Sequence, residues 1–287
     1  MGPDVIIGIV GIASLSVLAY LAGGHLGRTV SKYRPLLFVE SILLSLVFAW
    51  TLEGKLGWAI AIPNTAVICW SNFMPVLLGF TAGLARWSSG LGEIKRPIVV
   101  GVLGMIAAAY MLAPVVRPIA APANVDEAAQ WRNGICLQSH PSTCGAASAA
   151  TLLRRSGVRT SEAEMIKACL TSNIGTVPLG LYRGIALKAN RSNRVAAVAS
   201  RKPKQWSRLG QLPNVALVRF DSSEMSGSPA RLLGPQGEGH AVAVIGRTDG
   251  GRWIIGDPAV GLVYWSDAEF ESYFTGDAIY LKEKGSR

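Results

Sequence analysis

Apolar residues follow two different rhythms along this chain. Up to about residue 116 they come in long, nearly unbroken runs; beyond residue 131 they come in short segments, several alternating, cut by Gly, Pro, Ser and Asp. A bilayer core of about 30 Å needs about 20 apolar residues in a helix. Val5–Leu26 supplies one such run, and Leu36–Leu52 a second that carries one charge, Glu40. Trp58–Ala85 is longer and weaker and contains Pro63 and Pro75, so its spanning part is read as Thr65–Leu84; Ile98–Val116 is the fourth. A removable signal peptide does not suit the first run, which has no basic start and is followed by further spans. Gly23–Gly24 looks like a double-glycine cleavage site, but small residues at a helix end explain it better. Three prolines and several alanines between Pro114 and Gln130 read as a linker. The segments are therefore 1–116 membrane, 117–130 linker and 131–287 globular domain.

Charge sharpens this division. Of 28 Lys/Arg and 18 Asp/Glu, residues 1–116 hold only 7 and 4. The net charge of +10 suggests a nucleic-acid partner, but the excess is scattered. Its one short cluster, Arg201, Lys202 and Lys204, has no interleaved aromatics, so nucleic acid is excluded as a partner and a solvated or lipid-facing surface is favoured. Short loops rich in Lys/Arg stay in the cytoplasm. The first loop carries Arg28, Lys32 and Arg34, the third Arg86, Lys95 and Arg96, and the second only Lys55 beside Glu53. Four spans then put both chain ends, and the globular domain, outside the cytoplasm; a re-entrant Trp58–Ala85 would invert this. With no GxxxxGK[ST] loop and no dinucleotide fingerprint, the chain shows no ATPase of its own.

The chemistry concentrates in Trp131–Gly157, WRNGICLQSHPSTCGAASAATLLRRSG. Ala146–Arg155 is strongly helix-forming and Gly157 is a natural stop. Cys144 thus sits at or just before a helix N-terminus, where unpaired N–H groups and the macrodipole favour a thiolate. The small residues Gly145, Ala146 and Ala147 leave room for a substrate backbone. Gln138, six residues earlier, can set a side-chain amide beside the Cys144 N–H as an oxyanion hole. The base comes from the strand-like HAVAVIG, His240–Gly246, and its orienter from RWIIGDP, Arg252–Pro258. Two strands joined by the turn Thr248–Gly251 set their far ends side by side, so Asp257 can hold the second ring nitrogen of His240.

The Q-x5-C-G pattern opening an alanine-rich helix, with HAVAVIG and IIGDP, resembles the papain-like bacterial peptidases that process bacteriocin and other double-glycine leader peptides, cysteine-peptidase family thirty-nine. The resemblance covers roughly Gly134–Leu281. It implies Cys144 as nucleophile, His240 as general base, Asp257 as its orienter and Gln138 in the oxyanion hole, with no metal and no cofactor. Members often carry Asp before the Cys-Gly, where this chain has Thr143. The best-known members are cytoplasmic domains fused to an ATP-driven exporter, whereas this chain has four spans and no nucleotide-binding domain.

The expected fold is an N-terminal α-helical membrane bundle of about four spans, followed by an α+β papain-like cysteine peptidase domain with an antiparallel sheet. Ser161-x-x-Glu164 is a capping box for a helix over Glu162–Leu170, and Leu179–Ala189 is another helix. Strands are expected at Arg194–Ala199, Val215–Asp221, Ala241–Arg247, Arg252–Asp257, Gly261–Trp265 and Ala278–Leu281. The loop Asp221–Gly239 is expected to edge the substrate cleft. The expected function is a multi-pass cysteine peptidase of the bacterial inner membrane. Its partners would be the bilayer, a secreted or membrane-associated peptide or protein substrate, and a separate transporter. Two alternatives stay open: a non-hydrolytic peptide-binding module of a secretion system, and a papain-like acyl transferase. Cys136 and Cys169 either pair as a disulfide or remain buried thiols. A zinc set of Cys136, His140 and Cys144 with Cys169 is disfavoured because Pro141 keeps the first three off one helix face and because it leaves His240 and Asp257 without purpose.

Overall fold

The computed structural model describes residues 2–123, 125, 130–190, 192–220 and 239–285. The chain forms two compact units, Met1–Lys55 with Ala66–Val116, and Leu56–Thr65 with Arg117–Arg287.

In the first unit, α1 (Pro3–Thr29) and α2 (Arg34–Thr51) are followed, beyond the short α3 (Trp58–Ala61) of the second unit, by α4 (Val67–Trp70), α5 (Met74–Ala85) and α6 (Gly92–Ala120). Among the described residues, four segments are long and apolar enough to cross a membrane: Pro3–Thr29, Arg34–Thr51, Val67–Ala85 and Gly92–Ala120. The third is broken at Ser71–Phe73, between α4 and α5, just before Pro75. α1 and α5 meet through glycines. A Cβ on Gly23 would lie 2.2 Å from the Phe80 carbonyl oxygen, and one on Gly83 would lie 2.2 Å from that of Tyr20. Gly23 therefore serves backbone-close helix packing, the small-residue device of apolar bundles. The expected linker is corrected at its start, because α6 runs through Pro114 and Pro118 to Ala120. A proline interrupts only part of a helix's hydrogen bonding, and long apolar helices tolerate it.

The second unit opens with a small hairpin, β1 (Trp131–Arg132) and β2 (Ile135–Cys136), that the sequence reading missed. Then come α7 (Cys144–Arg155), α8 (Glu162–Cys169) and α9 (Pro178–Ala189). The Ser161 capping box forms as read: its hydroxyl accepts the Glu164 N–H at 3.2 Å, and Glu164 accepts the Ser161 N–H at 3.0 Å. Strands β3 (Arg194–Val198), β4 (Asn214–Arg219), β5 (Gly239–Arg247), β6 (Trp253–Asp257) and β7 (Gly261–Trp265) follow. Helix α10 (Asp267–Tyr273) and strand β8 (Phe274–Glu283) complete the unit. The strands form one antiparallel sheet in the order β3-β8-β4-β5-β6-β7.

Along β5, Ala241, Val242, Ala243 and Val244 are all buried, so both faces of the sheet are covered. α7 packs on β5 from one side. Val242, Val244 and Ile255 join Trp206, Trp253 and Phe270 in an aromatic layer, in which Trp253 and Phe270 stack at 4.8 Å. Helix α10 belongs to this layer, and its capping box, Ser266 with Glu269, was legible in the sequence but overlooked. The segment 221–238, most of the loop expected to edge the cleft, lies outside the described residues.

Candidate active site

Cys144 is the first residue of α7, reached through a turn of 3-10 helix, Pro141–Thr143. His140 starts that turn: its Nδ1 accepts the Ser142 N–H at 3.2 Å, so it shapes the loop. The first N–H groups of a helix have no partner inside it. The Cys144 sulfur accepts the N–H of Gly145 from its own helix and that of Ala241 from β5, and it shares a hydrogen bond with His240. Burial alone would push the thiol up; the His240 hydrogen bond and charge, with the two N–H groups, outweigh it and hold the thiol below its ordinary value.

The sheet delivers the partner residues. Ala243 pairs with Gly256, so one step further sets Asp257 opposite Val242. His240, two residues from Val242, shares its face and stands diagonal to Asp257. Nε2 of His240 donates to Oδ1 of Asp257 at 2.9 Å, which leaves Nδ1 for the sulfur. The same Oδ1 accepts the Ala259 N–H at 2.9 Å, which fixes the carboxylate. Asp257 is 4% exposed, and the Phe220 ring stands 5.8 Å from the imidazole. Burial opposes charge on His240, but the hydrogen bond to Asp257 and then the thiolate override it and raise the imidazolium well above the usual histidine range. The two shifts run in opposite directions, the thiol down and the imidazolium up, and both favour a thiolate–imidazolium pair.

Helix and strand are held in register by Ser148, one turn beyond Cys144. Its hydroxyl donates to the Ala241 carbonyl at 2.8 Å, and it is 1% exposed. Ala241 therefore meets α7 with both backbone groups. Sequence reasoning missed Ser148; the available signal was a lone hydroxyl at i+4 from the cysteine in an alanine run. It also misjudged the small residues. Ala146 and Ala147 are fully buried, and a Cβ on Gly145 would stand 3.1 Å from Thr176 Cβ. They let α7 pack closely and do not open space for substrate.

Gln138 follows β2. Its N–H donates to the Pro258 carbonyl at 2.8 Å, and β2 is tied to α7 where the Cys136 N–H donates to Thr151 Oγ1 at 2.9 Å. The Gln138 Oε1 is buried without a hydrogen-bond partner among the described residues. The structure therefore sets His240 between Asp257, at 2.9 Å, and the Cys144 sulfur, and anchors Gln138 by its backbone beside the Asp257 turn. Cys136 and Cys169 are buried free thiols, each pushed up to about 12, chiefly by burial. No group of three or more His, Cys, Asp or Glu among the described residues could hold a metal ion.

A free cysteine opening a helix packed on an antiparallel sheet, with a histidine from that sheet at its sulfur, defines a papain-like cysteine peptidase. The family model described as "Peptidase C39 family" matches residues 132–286, more than half of the chain, and the chain belongs to that family. Solved structures similar to part of it include the peptidase domain of Streptococcus ComA, a bi-functional ABC transporter involved in quorum sensing. Identity is 23% over 52% of this chain and 96% of that one, with a TM-score of 0.40. Another is a double glycine motif protease from an AMS/PCAT transporter in complex with the leader peptide, at 21% identity over 56% and 97%, TM-score 0.41. A third is the peptidase C39-like domain of a toxin secretion ATP-binding protein from Vibrio parahaemolyticus, at 14% over 49% and 97%, TM-score 0.35. No curated protein matches the chain.

Proposed function

We propose that this chain is a membrane-anchored cysteine peptidase that cleaves peptide bonds with Cys144 as nucleophile, His240 as acid and base, and Asp257 as orienter. The observation that carries the reading is the relay itself: Asp257 at 2.9 Å from Nε2 of His240, and the Cys144 sulfur hydrogen-bonded to the same ring. The thiolate attacks the substrate carbonyl carbon. The oxyanion that forms accepts from the Cys144 N–H and the Gln138 amide. His240 gives its proton to the leaving amine, and a thioester remains. Water then attacks the thioester, His240 takes the water's proton, and the carboxylic acid product leaves as the thiolate is expelled, which restores the thiolate–imidazolium pair.

The four apolar segments support anchoring, and the Lys/Arg-rich first and third loops favour an extracytoplasmic peptidase domain in a bacterial inner membrane. Anchoring raises the local concentration of substrates that are themselves secreted or membrane-bound, and double-glycine leader peptides released by a separate transporter fit that class. Purified full-length protein in detergent, incubated with such precursors, is the test. Wild type should cleave, and Cys144→Ala should bind without cleaving. Cleavage retained in that variant would refute the nucleophile. Binding without cleavage by wild type would make the protein a peptide-binding module. Accessibility of the C-terminus from outside intact cells tests the topology, and labelling only after lysis would reverse it.

A further inference from the structure

Glu162, the first residue of α8, is 1% exposed. One carboxylate oxygen, Oε1, accepts the Ser139 N–H at 2.9 Å; the other is buried with no hydrogen-bond partner among the described residues. Removing a carboxylate from water is costly, and the proposed mechanism gives this one no proton to move. What it holds is the residue next to Gln138. The two peptide planes that flank the Gln138 α-carbon are both fixed. One donates its N–H to the Pro258 carbonyl at 2.8 Å, beside Asp257, and the other donates the Ser139 N–H to Glu162. Two fixed planes set the backbone dihedrals of Gln138 and so the direction in which its side chain leaves the main chain.

We propose that Glu162 is a positioning residue for the oxyanion hole: by holding the Ser139 N–H from α8 it aims the Gln138 carboxamide. This rests on the reading of Gln138 as an oxyanion donor. An amide displaced by a fraction of an ångström keeps only part of its stabilisation of the oxyanion, whose full loss costs about 100- to 1,000-fold.

The test compares two reactions of the same sulfur on full-length protein in detergent. Acylation by p-nitrophenyl acetate, read as the burst of p-nitrophenolate, passes through an oxyanion. Alkylation by iodoacetamide is a displacement at carbon and does not. Partial unfolding lowers both rates together, so their ratio isolates the oxyanion hole, and Cys144→Ala supplies the blank for each. Glu162→Leu should lower the acylation-to-alkylation ratio about tenfold, with the pH profile of alkylation unchanged. Glu162→Gln, which keeps an acceptor oxygen, should stay within about twofold of wild type. An unchanged ratio in Glu162→Leu, or an equal fall in both variants, overturns the proposal. Gln138→Ala separates the two readings: if it leaves the ratio unchanged, the oxyanion role of Gln138 fails; if it lowers the ratio while Glu162→Leu does not, only the positioning role fails.

Discussion

Replacing His240 with Ala should slow alkylation of Cys144 by iodoacetamide about ten- to thirtyfold at pH 6 but not near pH 9, where the variant's thiol is itself ionised and its more basic thiolate should react faster than that of wild type. Three groups hold the thiol below its ordinary value against burial, namely the imidazole of His240 and the N–H groups of Ala241 and Gly145. Without the imidazole, burial is opposed only by two neutral donors, and the thiol returns at least to its ordinary range. A thiol at about 8.5 is ionised to about one part in three hundred at pH 6. The rate does not fall by the whole of that factor. A thiolate from a weaker acid is a better nucleophile, and a Brønsted slope of about 0.4–0.5 returns roughly half of the logarithmic loss. The assay is clean because Cys136 and Cys169 are buried thiols pushed up to about 12, and Cys69 is buried too. The sign of the wild-type profile follows from the same shifts. Alkylation should rise through the depressed thiol pKa at acid pH, and peptide turnover should fall only when His240 loses its proton at a pH well above the usual histidine range. Superimposed profiles for wild type and variant would refute the thiolate–imidazolium pair.

Two stability changes follow from the packing around the site. Ser148→Ala removes a buried hydrogen bond of 2.8 Å and strands the Ala241 carbonyl, which should cost about 1–3 kcal/mol. Calorimetry should show a fall of about 2–4 °C in Tm per kcal/mol; an unchanged Tm would mean that α7 and β5 are held by other contacts. Gly180→Ala would set a Cβ 2.4 Å from the Cys169 carbonyl oxygen, a backbone atom that cannot swing aside. It should destabilise by about 1–3 kcal/mol in denaturant titration, and a neutral result would show that α8 and α9 can separate slightly at no cost.

Local chemistry was legible in the sequence and distant chemistry was not. His240 and Asp257 could be placed together from HAVAVIG and IIGDP because a hairpin converts sequence distance into geometry: the far ends of two strands joined by one turn lie side by side, here with Asp257 opposite Val242 and diagonal to His240. Cys144 could be placed at a helix start because the alanine run and Gly157 fix both ends of that helix. Neither argument reaches Thr176, which stands against Gly145 from 31 residues away, or the pairing of β4 with β8, since these contacts depend on how the helices and the last strand return to the sheet. Glu162 was read only as part of a capped helix, although Ser161 and Glu164 form the box and Glu162 turns inward. The prolines of α6 misled for a different reason. In water a proline marks a helix end because the freed carbonyl finds a solvent partner, but in an apolar helix that option is absent and the helix continues.

The proposed mechanism needs a reactive thiolate on a helix whose first turns, after Cys144, carry only Gly, Ala and Ser. The macrodipole acts within the first turn, and its effect is about 0.3–1 kcal/mol at exposed positions, too little to overcome the burial that pushes the thiol up. What outweighs burial is chiefly His240, and its proton is retained because Asp257, fixed by the Ala259 N–H, faces the opposite ring nitrogen. On the proposed reading, the reactivity of Cys144 is thus set by β5 and β6 of the sheet and not by the helix that carries the sulfur. Ser148 links the two by donating to the carbonyl of Ala241, the residue after His240. On this account a change confined to α7 that preserves Ser148 and the small residues should leave the alkylation profile intact, whereas a change at Asp257 should alter it without touching the helix.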